Sequence, residues 1–277
     1  MDPLPGPRQH RALTGLGLGA VYLTLGTWAY FAWYYNKPDL PAFKVGGDGW
    51  FGRRTYAGGA DKLGHFWGNL TFSRLTTDLL RRGGWGPWSS SAIASGLCFT
   101  FFVFVEVKDG YYYEMSPGDL VGDAGGALLS MVMTNWPALD RAIDFRVQWT
   151  PSAQYRSRFP GDIDFVEDYS GQTYLLAWKP RSLAVVRDTP WLRPLGYIDP
   201  VIGYGTRNYK PPGATEPRKQ ELFIGVALDL QTVFDDALGG RRSRAARAGH
   251  SIAHSFFELA QLPYTSTPIL ETTRTTP

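Results

Sequence analysis

Residues 12–35, ALTGLGLGAVYLTLGTWAYFAWYY, run for 24 positions without a charged side chain. A helix needs about 20 apolar residues to cross a hydrocarbon core of about 30 Å. A chain with such a segment folds through or against a membrane, or loses the segment as a secretory signal. The stretch ends in Trp-Ala-Tyr-Phe-Ala-Trp-Tyr-Tyr, with no small-residue cleavage site, and its apolar core is long for a signal. Retention as an uncleaved anchor is therefore expected. A second apolar run, WSSSAIASGLCFTFFVFV at 88–105, is entered through Trp85 and Trp88 and followed by Tyr111, Tyr112 and Tyr113. Aromatics in those places are what interfacial belts supply.

Two further segments carry helical signals. In 61–80, DKLGHFWGNLTFSRLTTDLL, the residues Leu63, Phe66, Leu70, Leu75 and Leu79 form a stripe at helical spacing. The segment is too polar to face lipid all round, so it requires packed neighbours, and Arg81-Arg82-Gly83-Gly84 end it with charge and a breaker. In 116–136, Ser116 is placed to cap a helix with Pro117 in its first turn, and Gly122, Gly125 and Gly126 permit close helix–helix approach. The expected fold is mainly α: a four-helix transmembrane bundle over residues 1–136, then a small α+β region over 137–277 with a short antiparallel sheet.

Within that second region, 137–172 reads as polar and irregular, and 173–186 and 195–209 as short strands. Residues 220–230 alternate, placing Leu222, Ile224, Val226, Leu228 and Leu230 on one face. Residues 241–260 read as a basic amphipathic helix (Arg241, Arg242, Arg244, Arg247, then Ile252, Phe256, Phe257 and Leu259), suited either to an anionic membrane surface or to packing on its own domain. His250 and His254 lie on it four residues apart and, with no acidic partner nearby in sequence, read as surface residues.

Composition narrows the partners. Charged residues make up 19% of the chain and aromatics 15%, against about 25% charged in a soluble domain. The mean hydropathy of −0.21 fits either an aromatic-rich soluble core or a membrane chain pulled down by a polar C-terminal half. A net charge of +3 with no nucleic-acid-reading motif points away from nucleic acid. The single cysteine, Cys98, excludes an internal disulfide and a Cys-rich zinc site, and reads as a small buried apolar residue.

The polar motifs sit at the ends of the apolar segments. Asp61 and His65 are four apart, as are Asp119 and Asp123, and Glu106 and Asp109 are three apart, so on helices each pair shares a face. With four spans, Arg8, Arg11, Arg81, Arg82, Arg141 and Arg146 all fall on one side, which the positive-inside rule makes cytoplasmic. The acidic clusters then face the periplasm. Carboxylates around one imidazole can do acid–base chemistry. They can also hold a divalent metal that prefers oxygen ligands, or form an ion-pair network that locks helices together. The candidate catalytic residues are His65, Asp61, Glu106 and Asp109, and the candidate ligand-binding residues are Lys62, Lys108, Asp119 and Asp123.

These residues carry a resemblance. Asp-Lys-x-x-His at 61–65, Glu-x-x-Asp-Gly at 106–110 and Ser-x-x-Asp-x-x-x-Asp-x-Gly-Gly-Ala at 116–127 resemble the uncharacterised YfiM-like lipoproteins and, more distantly, VanZ-like membrane proteins. The match covers roughly residues 55–135, and the ending, with Gly203-Tyr204-Gly205, the 222–230 strand and Ser255-Phe256-Phe257, resembles longer YfiM-like members. With the expected spans, the resemblance implies a bacterial cell-envelope protein, either multi-pass in the inner membrane or associated with the outer membrane, its motif facing the periplasm, with membrane lipid and lipid-linked envelope precursors as partners. It assigns no reaction. Three functions are therefore expected in competition: a polar pocket for a lipid-linked or cell-wall-related ligand, an acid–base or metal-dependent hydrolase or transferase, and a non-catalytic scaffold.

Overall fold

The computed structural model describes residues 8–47, 49–159, 161, 164–209, 216–241 and 243–276; Arg242 and the side chains of Arg8 and Arg244 lie outside the described part. The chain divides into two units. One comprises Met1–Trp50, Asp61–Trp136 and Pro160–Asp164, and the other Phe51–Ala60, Pro137–Phe159 and Phe165–Pro277.

The first unit is helical: α1 (Arg8–Ala29, continued by a π-helical turn Tyr30–Tyr34), α2 (Ala60–Arg82), α3 (Pro87–Tyr112) and α4 (Pro117–Asn135). Local chemistry sets the ends. Gly84 (φ 93°) closes α2 with paired bonds from Gly84 N–H to Arg81 O and Trp85 N–H to Leu80 O, a Schellman arrangement. Ser116 Oγ caps α4 by accepting from Asp119 N–H, with Pro117 behind it. α1 packs through Leu18 against Leu80 and Ala94, and Tyr22 Oη shares hydrogen bonds with Thr76 (3.1 Å) and Cys98 (2.6 Å). α2 turns Asn69, Ser73, Thr76 and Thr77 inward, each at most 4% exposed. α4 lies tightly on α2, because a Cβ on Gly126 would stand 2.1 Å from Phe66 O, and one on Gly122 2.7 Å from Lys62 O.

The expected four-helix transmembrane bundle is corrected. Among the described residues, two helices suffice by length and composition to cross a membrane, His10–Tyr34 and Pro87–Tyr112. α2 fails because its interior face is polar and both its ends are charged. α4 is long enough at 19 residues but fails because Asp119, Asp123 and its glycines lower its hydropathy. The multi-pass arrangement and the one-sided charge count fall with it. Arg146, one of the counted flanking charges, is fully buried in the second unit.

The second unit is a mixed six-stranded sheet in the order β5-β1-β2-β3-β4-β6, larger than the short antiparallel sheet expected. Its helices are α5 (Pro137–Asp140), α6 (Ala153–Arg158), α7 (Ala184–Asp188), α8 (Leu230–Leu238) and α9 (Arg244–Leu259). Its strands are β1 (Ile143–Trp149), β2 (Gln172–Trp178), β3 (Ile198–Arg207), β4 (Arg218–Leu228), β5 (Ala260–Gln261) and β6 (Ser266–Thr276). β1 and β5 are parallel and the remaining pairs antiparallel, with a bulge where Ile224-Gly225 of β4 meets β6 near Pro268. The inner face holds Leu175, Ala177, Val201, Phe223 and Ala227. A Cβ on Gly203 would meet the Phe223 ring at 2.1 Å, so that glycine lets the ring lie on β3. The 220–230 alternation is real but faces the other way: Phe223 and Ala227 are buried, while Leu222, Ile224 and Leu228 are exposed. Phe145, Leu176, Ile202, Ile224 and Leu270 pair in one row across five strands. Both sheet faces are apolar in sequence, so alternation fixes the period without choosing the side. α9 packs on α8 through Phe257, stacked on Phe234 at 5.0 Å, which favours the packed reading of the amphipathic helix.

Under β1 lies a buried charge cluster. Arg146 donates from Nε to Asp144 Oδ2 (3.1 Å) and from Nη1 to Gln261 (3.2 Å), and its Nη2 is 2.9 Å from Asp199; Lys179 Nζ is 3.2 Å from Asp144. Asp229 caps α8, accepting from Thr232 N–H (2.9 Å) and Thr232 Oγ1 (2.7 Å). Three carboxylates thus face two cations. Asp144 is held by both cations and Asp229 by the cap, and neither Asp199 oxygen takes a well-aligned hydrogen bond. Burial, set against Arg146 and reinforced by Asp229 and Asp144, pushes the Asp199 carboxyl up to about 7. Its contribution to stability is therefore full below the ordinary carboxylate range and lost as pH rises through about 7. Asp199→Asn, which fixes the neutral form, is expected to match the parent near pH 3.5 and to exceed it at pH 8, by at most about 4 kcal/mol. Chemical denaturation at the two pH values reads the difference. A variant equally destabilised at both would show that Asp199 is ionised throughout.

Candidate functional site

The site lies in the first unit, where α2, α3 and α4 meet. His65, Glu106 and Asp119 each offer a ligand atom, and these atoms lie within 4.8 Å of one another. Glu106 is placed by the α3–α4 turn, where its Oε2 accepts Ser116 N–H at 2.9 Å. That turn is fastened by the 40–46 segment, through Leu40 N–H to Tyr111 O, Lys44 N–H to Gly110 O and Gly46 N–H to Met115 O. Asp119 and Asp123 are brought to α2 by the glycine contact at Gly122, whose absent Cβ would stand 3.4 Å from His65 Cβ.

The imidazole is held at one nitrogen and open at the other. His65 Nδ1 is 3.1 Å from Asp123 Oδ1, and Asn69 Nδ2 donates to the same oxygen at 2.6 Å. His65 Nε2 stands 3.7 Å from Glu106 Oε1 and 3.9 Å from Asp119 Oδ2. Those distances exceed direct hydrogen bonds of about 2.7–3.2 Å. They are close to the roughly 3.4 Å edge of a tetrahedral site with bonds near 2.1 Å. Burial opposes protonation of His65, but the Asp123, Asp119 and Glu106 carboxylates outweigh it and push the imidazole up to about 10. Burial raises Asp123, with the His65 charge and the His65 and Asn69 hydrogen bonds pulling the other way. The His65 side chain is 18% exposed and Asp119 11%, whereas Glu106 and Asp123 are shut in, so access is from the His65–Asp119 side.

The remaining motif residues are distributed around this centre. Lys62, 3% exposed, binds Asp61 (2.8 Å) and Asp119 (2.9 Å) and reaches Ser116 Oγ (3.4 Å). Asp61 thus stands one partner removed from the convergent triad. Asp109 accepts from Tyr34 Oη at 2.8 Å, where the π-helical turn delivers that ring. Lys108 is exposed and lies 4.7 Å over the Tyr112 ring, away from the cluster. Asn69 and Tyr34 were not singled out from sequence. Asn69 lies four residues after His65 and so on the same face, a spacing that carried the signal; Tyr34 had none.

Residues 47–135 match a family model described as a predicted periplasmic lipoprotein, DUF2279. The match covers every motif residue above and ends before the first strand of the sheet. At the coarse level it makes this a cell-envelope protein of the periplasmic side, consistent with the YfiM-like resemblance; it lends nothing to the VanZ-like one. No curated protein and no solved structure matches the chain. Cys98 is buried within α3 and bonded to Tyr22, so it does not present a thiol for acylation.

An apolar groove lined by Arg11, Leu18, Tyr22, Leu80, Trp85 and Leu97 opens elsewhere on this unit. Leu80 is fifteen residues from His65 along α2, about 22 Å at 1.5 Å per residue. The groove is therefore not the entrance to the triad.

Proposed function

We propose that this protein is held at the membrane by α1 and presents, towards the periplasm, a divalent-metal site formed by His65, Glu106 and Asp119, through which it handles a lipid-linked or cell-wall-related ligand. The observation that carries the reading is the gap at His65 Nε2: two carboxylates converge on that nitrogen at 3.7 and 3.9 Å without bonding to it. Asp123 plays the orienting part, bonding the opposite ring nitrogen as carboxylates do behind metal-bound histidines. Four carboxylates, Asp61, Glu106, Asp119 and Asp123, surround Lys62 and one imidazole, a surplus of negative charge that a divalent cation balances. Asp123 Oδ2 and Asn69 Oδ1 are buried with no hydrogen-bond partner among the described residues, so each is an acceptor that an ion or its water would satisfy. An ion with an open position would bind and polarise a phosphate or carbonyl oxygen of the ligand.

A second reading has one observation in its favour. Lys62 is buried between Asp61 and Asp119, as in a helix lock. His65→Gln separates the two, since it keeps a hydrogen-bonding amide but removes the imidazole. The metal reading expects the variant to melt near the parent in detergent and to fail to complement the envelope phenotype of a deletion strain at matched expression. The lock reading expects a loss of about 1–3 kcal/mol in stability, with complementation retained in proportion to folded protein. Full complementation would end the required role of His65.

A further inference from the structure

The second unit carries another convergence of ligand atoms, on different residues. Asp235 is on α8, and His250 and His254 are on successive turns of α9. Asp235 Oδ1 lies 2.9 Å from His250 Nε2, and Asp235 Oδ2 lies 3.0 Å from His254 Nδ1; the imidazole centroids are 5.9 Å apart. One atom from each of the three lies within 4.8 Å of the other two. The frame behind them is fixed by the Phe234–Phe257 stack and by Gln231 Nε2 donating to His254 O at 3.1 Å. The side chains are 30%, 48% and 34% exposed for His250, His254 and Asp235, so solvent reaches all three.

We infer that Asp235, His250 and His254 bind one divalent first-row transition ion of the zinc class, which clips α9 to α8. Two imidazoles and one carboxylate suit zinc and its neighbours, whereas magnesium and calcium take oxygen ligands. Metal–ligand bonds of about 2.0–2.2 Å set ligand–ligand edges of about 3.4 Å, against ligand atoms that already lie within 4.8 Å of one another. In the metal-free form the carboxylate accepts from the two rings. On loading, each ring frees the nitrogen that faces Asp235 and stays a neutral imidazole: a doubly protonated ring releases that proton to solvent, a neutral ring carries its N–H on the other nitrogen, and the ion takes the place of the proton. The carboxylate that sequence distance hid is thus the third arm of a histidine pair at i, i+4.

The test uses the full, untagged chain in detergent, carrying His65→Gln so that the first-unit site does not contribute. Zinc chloride is titrated by calorimetry, and cobalt(II) loading is followed by visible absorption. The expected result is one zinc per chain at micromolar or tighter affinity, visible cobalt bands and a raised melting temperature. His250→Gln and His254→Gln should each weaken binding about a hundredfold or more, since loss of an outer-shell partner alone costs about 10–100-fold. Their melting temperatures in EDTA report whether they fold, and Asp235→Asn serves as the third variant if either does not. Absence of zinc binding at millimolar ion in the folded protein would overturn the inference. So would undiminished binding in the His250→Gln/His254→Gln pair, or equal stabilisation by magnesium.

Discussion

Arg146→Met is expected to lower the stability of the second unit by about 3–5 kcal/mol, about 10 °C or more in melting temperature. The methionine fills most of the volume but leaves Asp144, Asp199 and Asp229 facing Lys179 alone. All three carboxylates are at most 1% exposed, so water cannot replace the guanidinium. The loss is the cost of stranded charge rather than the worth of the ion pairs, and the double variant distinguishes them. Adding Asp199→Asn to Arg146→Met removes the surplus acid and should restore part of the stability, a coupling that independent sites would not show. Thermal unfolding of the four proteins, followed by fluorescence and circular dichroism, gives the cycle. A single-variant loss below about 1 kcal/mol, the range of an exposed pair, would mean that the cluster is hydrated.

Gly126→Ala is expected to affect stability and site together. Its new Cβ would stand 2.1 Å from Phe66 O and 2.9 Å from Leu70 N, both backbone atoms, so no side chain can turn away. α4 must then move off α2, at a cost of about 1–3 kcal/mol for overpacking. The same displacement draws Asp119 and Asp123 away from His65, so any affinity of that site for zinc should fall along with the melting temperature. Gly96→Ala is the control. Nothing lies within 4 Å of its Cβ position, and in a helix interior it should gain up to about 1 kcal/mol. Equal melting temperatures for the two variants would show that the close approach of α2 and α4 is not under strain.

What could be read from sequence was local. The cap at Ser116-Pro117, the stop at Arg81–Gly84 and the glycine face of α4 each rest on a few adjacent residues, and each stands in the structure where it was expected. The number of spans was not legible, because hydropathy does not reveal that α2 buries its polar face. β1 was hidden for a related reason. Its Asp144 and Arg146 alternate with Ile143, Phe145 and Val147, a pattern that suggests a solvated edge, while the charged side is the buried one. At the site, the i, i+4 spacings identified which residues share a helix face. They could not say that His65 would be gripped by Asp123, 58 positions on, while Asp61 went to Lys62. Nor could they supply Asp235 to His254, since that pairing exists only once α8 and α9 fold back on each other.

The bulge opposite Gly225 has a consequence for how far the sheet can extend. β6 ends the strand order, and its outer edge has no neighbour among the described residues. An eleven-residue edge beside the exposed Ile224 and Leu270 would ordinarily be a template for another chain. Pro268 contributes no N–H to such a template, the irregularity beside it bends the strand, and Glu271 and Arg274 bring charge to the rest of its length. Strand addition, the first step towards fibrils, would have to bury that charge at an edge already short of a donor. The chemistry of the last strand thus disfavours addition of a further copy at this edge.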